Sequence, residues 1–302
     1  MRLRLLLLIL LTILSLNYGT RAAHCGSEWL ELGGAKPNVS REVAAGLFTD
    51  ANEKYTQAAK LAAAKSNLEA AQLLQEAALQ YETILAGGFR LGQIYYNLGN
   101  VYYRQGKLGK SILNYRRAQR LMPRNADVDA NLSLVKTSTE DKELSSEIPP
   151  VVQKVFFWFF MLNQNELTVV AISLYVALMV LITLFIFFKF SWSRGVIIGF
   201  SAGLLIALAS LGIKIYREEG VTYGVVTTKC QVRYGPGGEY EPKFEIHDGA
   251  ECVIEGEKND WYRVYVNVGV KEMAGSKTGG EEKANNKEVR SGWLRKGEVD
   301  KI

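Results

Sequence analysis

With 302 residues, 48% of them apolar, and a formal net charge of +5, the chain is long enough for about two domains and only mildly basic. Its Lys and Arg residues are scattered, with no dense block of the kind that neutralises phosphates, which argues against a nucleic-acid partner. Three cysteines without a CxxC pair and two histidines are too few soft ligands for a structural zinc site.

Residues 1–23 open with Arg2 and Arg4, continue with the apolar core Leu5 to Leu16 and end in Thr20-Arg21-Ala22-Ala23. A charged start, an apolar middle and a polar end are the layout of a secretory signal peptide, so export is expected. Cys25 invites lipidation, but His24 precedes it where a small residue is wanted. Simple cleavage is therefore preferred over lipidation or retention as an anchor.

After Gly33, Gly34, Pro37 and Ser40, a helical region is expected from Val43 to about Leu144. Its clearest stretch is Gly92 to Gly106 followed by Lys107 to Asn125. Leu98, Gly99 and Tyr102 share one helix, Ser111, Tyr115 and Ala118 the next, and Pro123 closes the unit. This resembles the tetratricopeptide repeat of about 34 residues, in which small residues let two helices cross closely and large ones fill the gap. Asn131-Leu132 repeats Asn97-Leu98 one period on, and this second copy fades into a capping helix. A looser copy lies upstream: Asn52 and Tyr55 fit a first helix, and Ala77, Tyr81 and Ile84 a second. An Ala-rich insertion, Ala58 to Ala71, lengthens both helices, and Gly87-Gly88 ends the second. Residues 43–144 are thus expected to form an all-α tetratricopeptide-repeat solenoid. By that resemblance a protein-binding groove is lined by the first helix of each repeat, here at Gln93, Tyr96, Asn97, Asn100, Tyr103, Arg104 and Asn131. Tyr95 and Tyr102 are assigned to the repeat core.

Thr137 to Pro150 is polar and acidic and ends in Pro149-Pro150, as a linker does. Val155 to Leu162 carries Phe156, Phe157, Trp158, Phe159 and Phe160, and is too short to span a bilayer. Residues 145–166 therefore read as a linker and an aromatic segment at the membrane interface; a partner-docking surface is the alternative. Two apolar runs follow, 167–188 and 195–213, each with the roughly 20 residues a helix needs to cross hydrocarbon. The first has no charge, and its Ser173 and Thr183 hydroxyls can bond back to the helix backbone. Gly199, Ser201, Gly203 and Ser210 in the second are expected to pack it closely on the first. The link Lys189 to Arg194 carries only basic charges, which marks the cytoplasmic side. A transmembrane hairpin results, with the N- and C-terminal parts both on the exported face.

From Tyr223 the pattern changes to short alternating strands with turns. Val232-Arg233-Tyr234-Gly235-Pro236-Gly237, Gly249-Ala250, Asp260 to Val264 and Gly292-Trp293-Leu294 follow in order. They make 221–302 resemble a small all-β bacterial SH3-like barrel, with the Gly- and Lys/Glu-rich loop 267–290 inserted between two strands. Cys230 and Cys252 fall at inward positions, as core residues or as a disulfide between neighbouring strands in an oxidising compartment. Tyr234, Tyr240, Trp261 and Trp293 are either barrel core or an exposed ligand surface. Gly235 to Gly238 lacks the following helix and Lys-Ser/Thr of a phosphate loop, so it is a turn. His247-Asp248 has no nucleophile beside it and reads as a solvated turn rather than an acid–base pair. Neither catalytic residues nor a cofactor is expected.

Repeats, aromatic segment, two-span hairpin and barrel, in that order, closely resemble the E-type Bat family of bacterial aerotolerance operons. The resemblance covers nearly the whole chain, and it rests on the order of common modules around the hairpin. It implies a multidomain protein of the bacterial inner membrane, with both flanking domains in the periplasm and no catalysis. It further implies a scaffold working with membrane proteins that bear von Willebrand A domains and with a MoxR-type ATPase in stress tolerance. The repeat insertion and the long barrel loop depart from the family. The alternative is a cell-wall sensor whose barrel binds peptidoglycan peptides.

Overall fold

The structure, a computed structural model, describes residues 39–141, 150–188, 193–266 and 290–302. The expected signal peptide with Cys25, the link residues 189–192 and the inserted loop 267–289 lie outside them. The chain forms two compact units: Phe156–Gly220, and a second that joins the helices up to Val155 with Val221–Ile302.

The second unit begins with helices α1 (Arg41–Ala63), α2 (Asn67–Ala86), α3 (Gly92–Arg104), α4 (Leu108–Leu121) and α5 (Ala126–Ser138). Ser40 starts α1 by accepting the Val43 N–H on its hydroxyl at 3.3 Å. The Ala-rich segment makes α1 and α2 23 and 20 residues long, against 13 and 14 for α3 and α4. Ala51, Ala58, Ala70 and Ala77 are buried in one core cluster with Tyr81, Ile94 and Leu98. Gly106 ends α3 with φ 74°, a left-handed residue that lets the Lys107 N–H reach the Tyr102 carbonyl at 3.0 Å. Between α3 and α4 the small-against-large rule holds. A Cβ on Gly99 would come within 2.8 Å of the Tyr115 ring, and Ser111 Oγ donates to the Gly99 carbonyl at 2.9 Å. Helix α5, capped by Asn125, ends at Ser138; the expected end of the helical region near Leu144 lies outside the described residues.

The same unit contains the antiparallel strands β1 (Thr222–Val226), β2 (Cys230–Arg233), β3 (Pro242–Ile246), β4 (Glu251–Lys258), β5 (Trp261–Val266), β6 (Arg290–Arg295) and β7 (Val299–Lys301). They form one seven-stranded sheet in the order β3-β2-β6-β5-β4-β1-β7. This corrects the expectation of a closed barrel: among the described residues no ladder joins β3 to β7, and the sheet is open. Register shifts at Val232/Arg233 and Ile254/Gly256 add twist. The sheet curls until Val226, Val232, Phe244, Val264, Leu294 and Val299 share one core. Side-chain packing, rather than hydrogen bonding, brings its edges to that core.

The other unit holds the short helix α7 (Phe157–Met161), which follows α6 (Pro150–Val155), and the long helices α8 (Gln164–Phe188) and α9 (Ser193–Ile215). Asn163 and Glu166 cap α8 reciprocally, Glu166 N–H to Asn163 Oδ1 at 2.8 Å and Asn163 N–H to Glu166 Oε2 at 3.0 Å. Both long helices are long and apolar enough to cross a membrane, with mean hydropathy 2.8 and 2.4 over their apolar windows and only 11% of each window buried. A core helix of a soluble domain would be mostly covered. Leu167, Ala171, Leu178, Ala207 and Ser210 are the buried positions. Gly203 faces Leu174 as close packing requires, whereas no described atom lies within 4 Å of where a Cβ on Gly199 would be. The aromatic segment folds back on α9: Trp158 Nε1 donates to Ser210 Oγ at 3.3 Å, and Lys214 Nζ to the Phe159 carbonyl at 3.2 Å.

Candidate functional site

The inner helices α1, α3 and α5 present a row of asparagines, each tied to a tyrosine or to its neighbour. Asn52 Oδ1 accepts from the Tyr81 hydroxyl at 2.6 Å and from Asn97 Nδ2 at 2.8 Å. Asn100 Oδ1 accepts from the Tyr115 hydroxyl at 2.6 Å and from Asn131 Nδ2 at 3.0 Å. Asn131 also reaches the Tyr96 hydroxyl at 3.2 Å, and Gln93 Nε2 donates to Asn97 Oδ1 at 2.9 Å. Burial pushes the Tyr81 phenol up to about 12 and that of Tyr115 upward as well, so both remain protonated donors. The network fixes the inner helices against the outer ones and holds the groove floor rigid.

At one end of this row Arg104 Nε donates to the Tyr55 hydroxyl at 2.8 Å. Its guanidinium carbon lies 5.1 Å from the centre of the Tyr55 ring, a cation–π arrangement. Among the described residues no carboxylate pairs with it. A cleft of about 340 Å³ opens there, lined by Tyr55, Asn100, Tyr103, Arg104, Asn131 and the exposed Leu134, with Tyr115 and Val135 behind. Its surface combines amides that can bond an extended main chain, an apolar wall and an unmatched positive charge. Of the residues expected in the groove, Asn100, Tyr103, Arg104 and Asn131 line this cleft. Tyr96 and Asn97 belong to the hydrogen-bonded row beneath it, and Gln93 is exposed farther along α3. Tyr55 and Leu134 were not expected there. Leu134 lies one repeat length after Asn100, a signal that could have found it. The insertion in the first copy hides the equivalent register for Tyr55.

The aromatic residues of the sheet occupy two places. Tyr234 and Tyr240 are 63% and 44% exposed beside the β2–β3 turn, where Arg233 Nη1 fastens the Gly238 and Tyr240 carbonyls at 3.1 and 2.6 Å. Trp261 and Trp293 are half-buried and lie outside the buried cluster that forms the sheet core. Alternation sends Val264 and Leu294 inward and these two outward. Trp293 stands in register between Arg233 and Arg263, and Trp261 opposite Arg295.

Cys230 and Cys252 are buried free thiols of the sheet core. They sit on β2 and β4, which β6 and β5 separate, so they are not on neighbouring strands as a bridge was pictured. Burial pushes each thiol up to about 12, which leaves neither a ready nucleophile. His247-Asp248 is not the solvated turn expected. The His247 N–H donates to Asp141 Oδ2 at 2.6 Å, and Asp248 Oδ1 accepts from the Gly109 N–H at 3.0 Å. Among the described residues no cluster of His, Cys, Asp or Glu is arranged to hold a metal ion.

Residues 92–125 match the tetratricopeptide repeat, the stretch that forms α3, α4 and the turn into α5. A comparison with curated proteins finds no match. The repeat marks the helical part as a protein-interaction scaffold, a class that is typically non-catalytic.

Proposed function

We propose that this chain is a non-catalytic, membrane-anchored scaffold of the bacterial envelope, of the E-type Bat kind, whose repeat groove grips a protein partner. The single observation that carries this is the cleft at Tyr55, Tyr103 and Arg104, where an amide row ends beside a cation that has no carboxylate partner among the described residues. The hairpin α8–α9 anchors the scaffold. Its flanks pack into one compact unit, which supports an even number of crossings, and the basic link supports a cytoplasmic turn with both flanks in the periplasm. Membrane proteins with von Willebrand A domains, working beside a MoxR-type ATPase in stress tolerance, are the partners the family resemblance supplies. Pull-down of the full chain from solubilised membranes is expected to recover such a protein, and Arg104→Ala with Tyr103→Ala to lose it. Recovery unchanged by both substitutions would remove the groove from the account.

A second reading draws on the outward aromatic face, Trp261 and Trp293 among Arg233, Arg263 and Arg295, for a cell-wall sensor that binds peptidoglycan peptides. Sedimentation of the detergent-solubilised full chain with cell-wall sacculi separates the two. Binding lost on Trp293→Ala supports the sensor, and no sedimentation removes it.

A further inference from the structure

The face of α4 and α5 turned away from the groove is covered by the sheet, through a joint built from both sides. Glu251, the first residue of β4, is 12% exposed. Its carboxylate accepts Arg116 Nε at 2.6 Å and Nη2 at 2.9 Å from α4, and Lys136 Nζ at 2.9 Å from α5. Two backbone positions are shaped for the contact. A Cβ on Gly109 would lie 2.2 Å from the Val226 carbonyl and 2.3 Å from Asp248 Oδ1; one on Gly249, at φ 95°, would lie 2.5 Å from Thr139 Cγ2. Ile112, Leu132 and Val135 of the helices share a buried cluster with Val225 of β1. The Gly109 amide lies in the first turn of α4, where no carbonyl of the helix can accept it, and Asp248 supplies the acceptor.

Repeat arrays need a terminal element with a polar outer face, and among the described residues the last copy here supplies only α5 before the chain leaves for the hairpin. We infer that the C-terminal sheet is the cap of the repeat array, docked in place of the missing second helix and locked by Glu251 between Arg116 and Lys136. The hairpin is then an insertion within one folded module. The α5 wall of the groove, with Asn131 and Leu134, is held in place by residues that follow the second span. A positive charge from each of two helices meets a single carboxylate from the sheet, so the lock works only when all three elements are present. Removing one partner of such a buried group leaves the others uncompensated. This capping role depends on no partner in the groove, and its test needs none.

The test is hydrogen exchange on the full chain in lipid nanodiscs. In the wild type, the peptide covering Leu108 to Leu113 is expected to exchange at least tenfold slower than the exposed first turn of α1, Arg41 to Val43, which serves as the reference without a docked sheet. Equal rates overturn the cap. Gly109→Ala reverses sign between the two cases: on an open helix alanine is favoured and protection rises, whereas under a docked sheet it clashes. The docked case predicts at least tenfold faster exchange in α4 and β1 together, with the α1–α2 core unchanged. Glu251→Gln is expected to do the same, and unchanged exchange in both variants contradicts the lock. Protection that falls on dilution would assign the sheet to a second copy of the chain and overturn capping within one chain.

Discussion

Two arginines set the two faces of the repeat array apart. Arg116, on the outer helix α4, meets a buried carboxylate from a strand 135 residues away. Arg104, at the end of inner helix α3, stacks on Tyr55 with no carboxylate among the described residues. Around Arg116 every feature is complementary: glycines where backbones touch, a shared apolar cluster, and a second cation, Lys136, on the same acid. Around Arg104 the protein satisfies its own asparagines and tyrosines but leaves the charge, Leu134 and a cleft open. One face is finished within the chain; the other has the chemistry of a surface that is completed by something else.

The comparison breaks first at Glu251. Glu251→Ala removes the carboxylate that Arg116 and Lys136 share in the joint, and a loss of about 3–5 kcal/mol in stability is expected from a partner removed from a buried pair, measured by denaturant unfolding of the full chain. Arg104→Ala is the counterpart: stability should stay within about 0.5 kcal/mol, while partner recovery is lost. A smaller change sharpens the groove floor. Tyr115→Phe removes the donor to Asn100 at a cost of about 1 kcal/mol, read as a lower unfolding midpoint with the m-value unchanged.

The joint should also loosen in acid. Burial alone would raise the Glu251 carboxyl, but the hydrogen bond and charge of Arg116 and the charge of Lys136 outweigh it and hold it well below the usual range. A depressed folded value means docking stability that is complete above the ordinary carboxylate range and lost as pH falls below it. Asp248, facing Gly109 and Lys110, acts the other way, because burial raises its carboxyl and the docked state therefore favours its protonated form. The net expectation is faster exchange in α4 and β1 below about pH 4, with a flatter acid response in Glu251→Gln.

The helical repeat could be read from sequence because its determinants are local. Gly99, Tyr102, Ser111 and Tyr115 recur at spacings that only two crossed helices satisfy, and Tyr81 with Tyr115, and Asn97 with Asn131, stand one repeat length apart. The apolar runs of the hairpin were equally plain. The joint was not legible, since Gly109 and Asp248 are 139 positions apart and neither carries a local pattern. His247-Asp248 accordingly looked like a solvated turn. Barrel core and exposed surface were both open for the tryptophans, although alternation from Val264 and Leu294 already sends Trp261 and Trp293 to the opposite face. Whether the sheet closes depends on strand pairing between β3 and β7, which no spacing in the chain encodes.

The open arginine can be tested in place. A photo-crosslinking residue at Tyr103 in the membrane-bound full chain is predicted to capture a membrane protein with a von Willebrand A domain, and Arg104→Ala to abolish that adduct. The same residue at Leu68, 76% exposed on α2, should not capture it. Identical adducts from Tyr103 and Leu68, or an adduct at Tyr103 indifferent to Arg104→Ala, would contradict the groove as the partner's site.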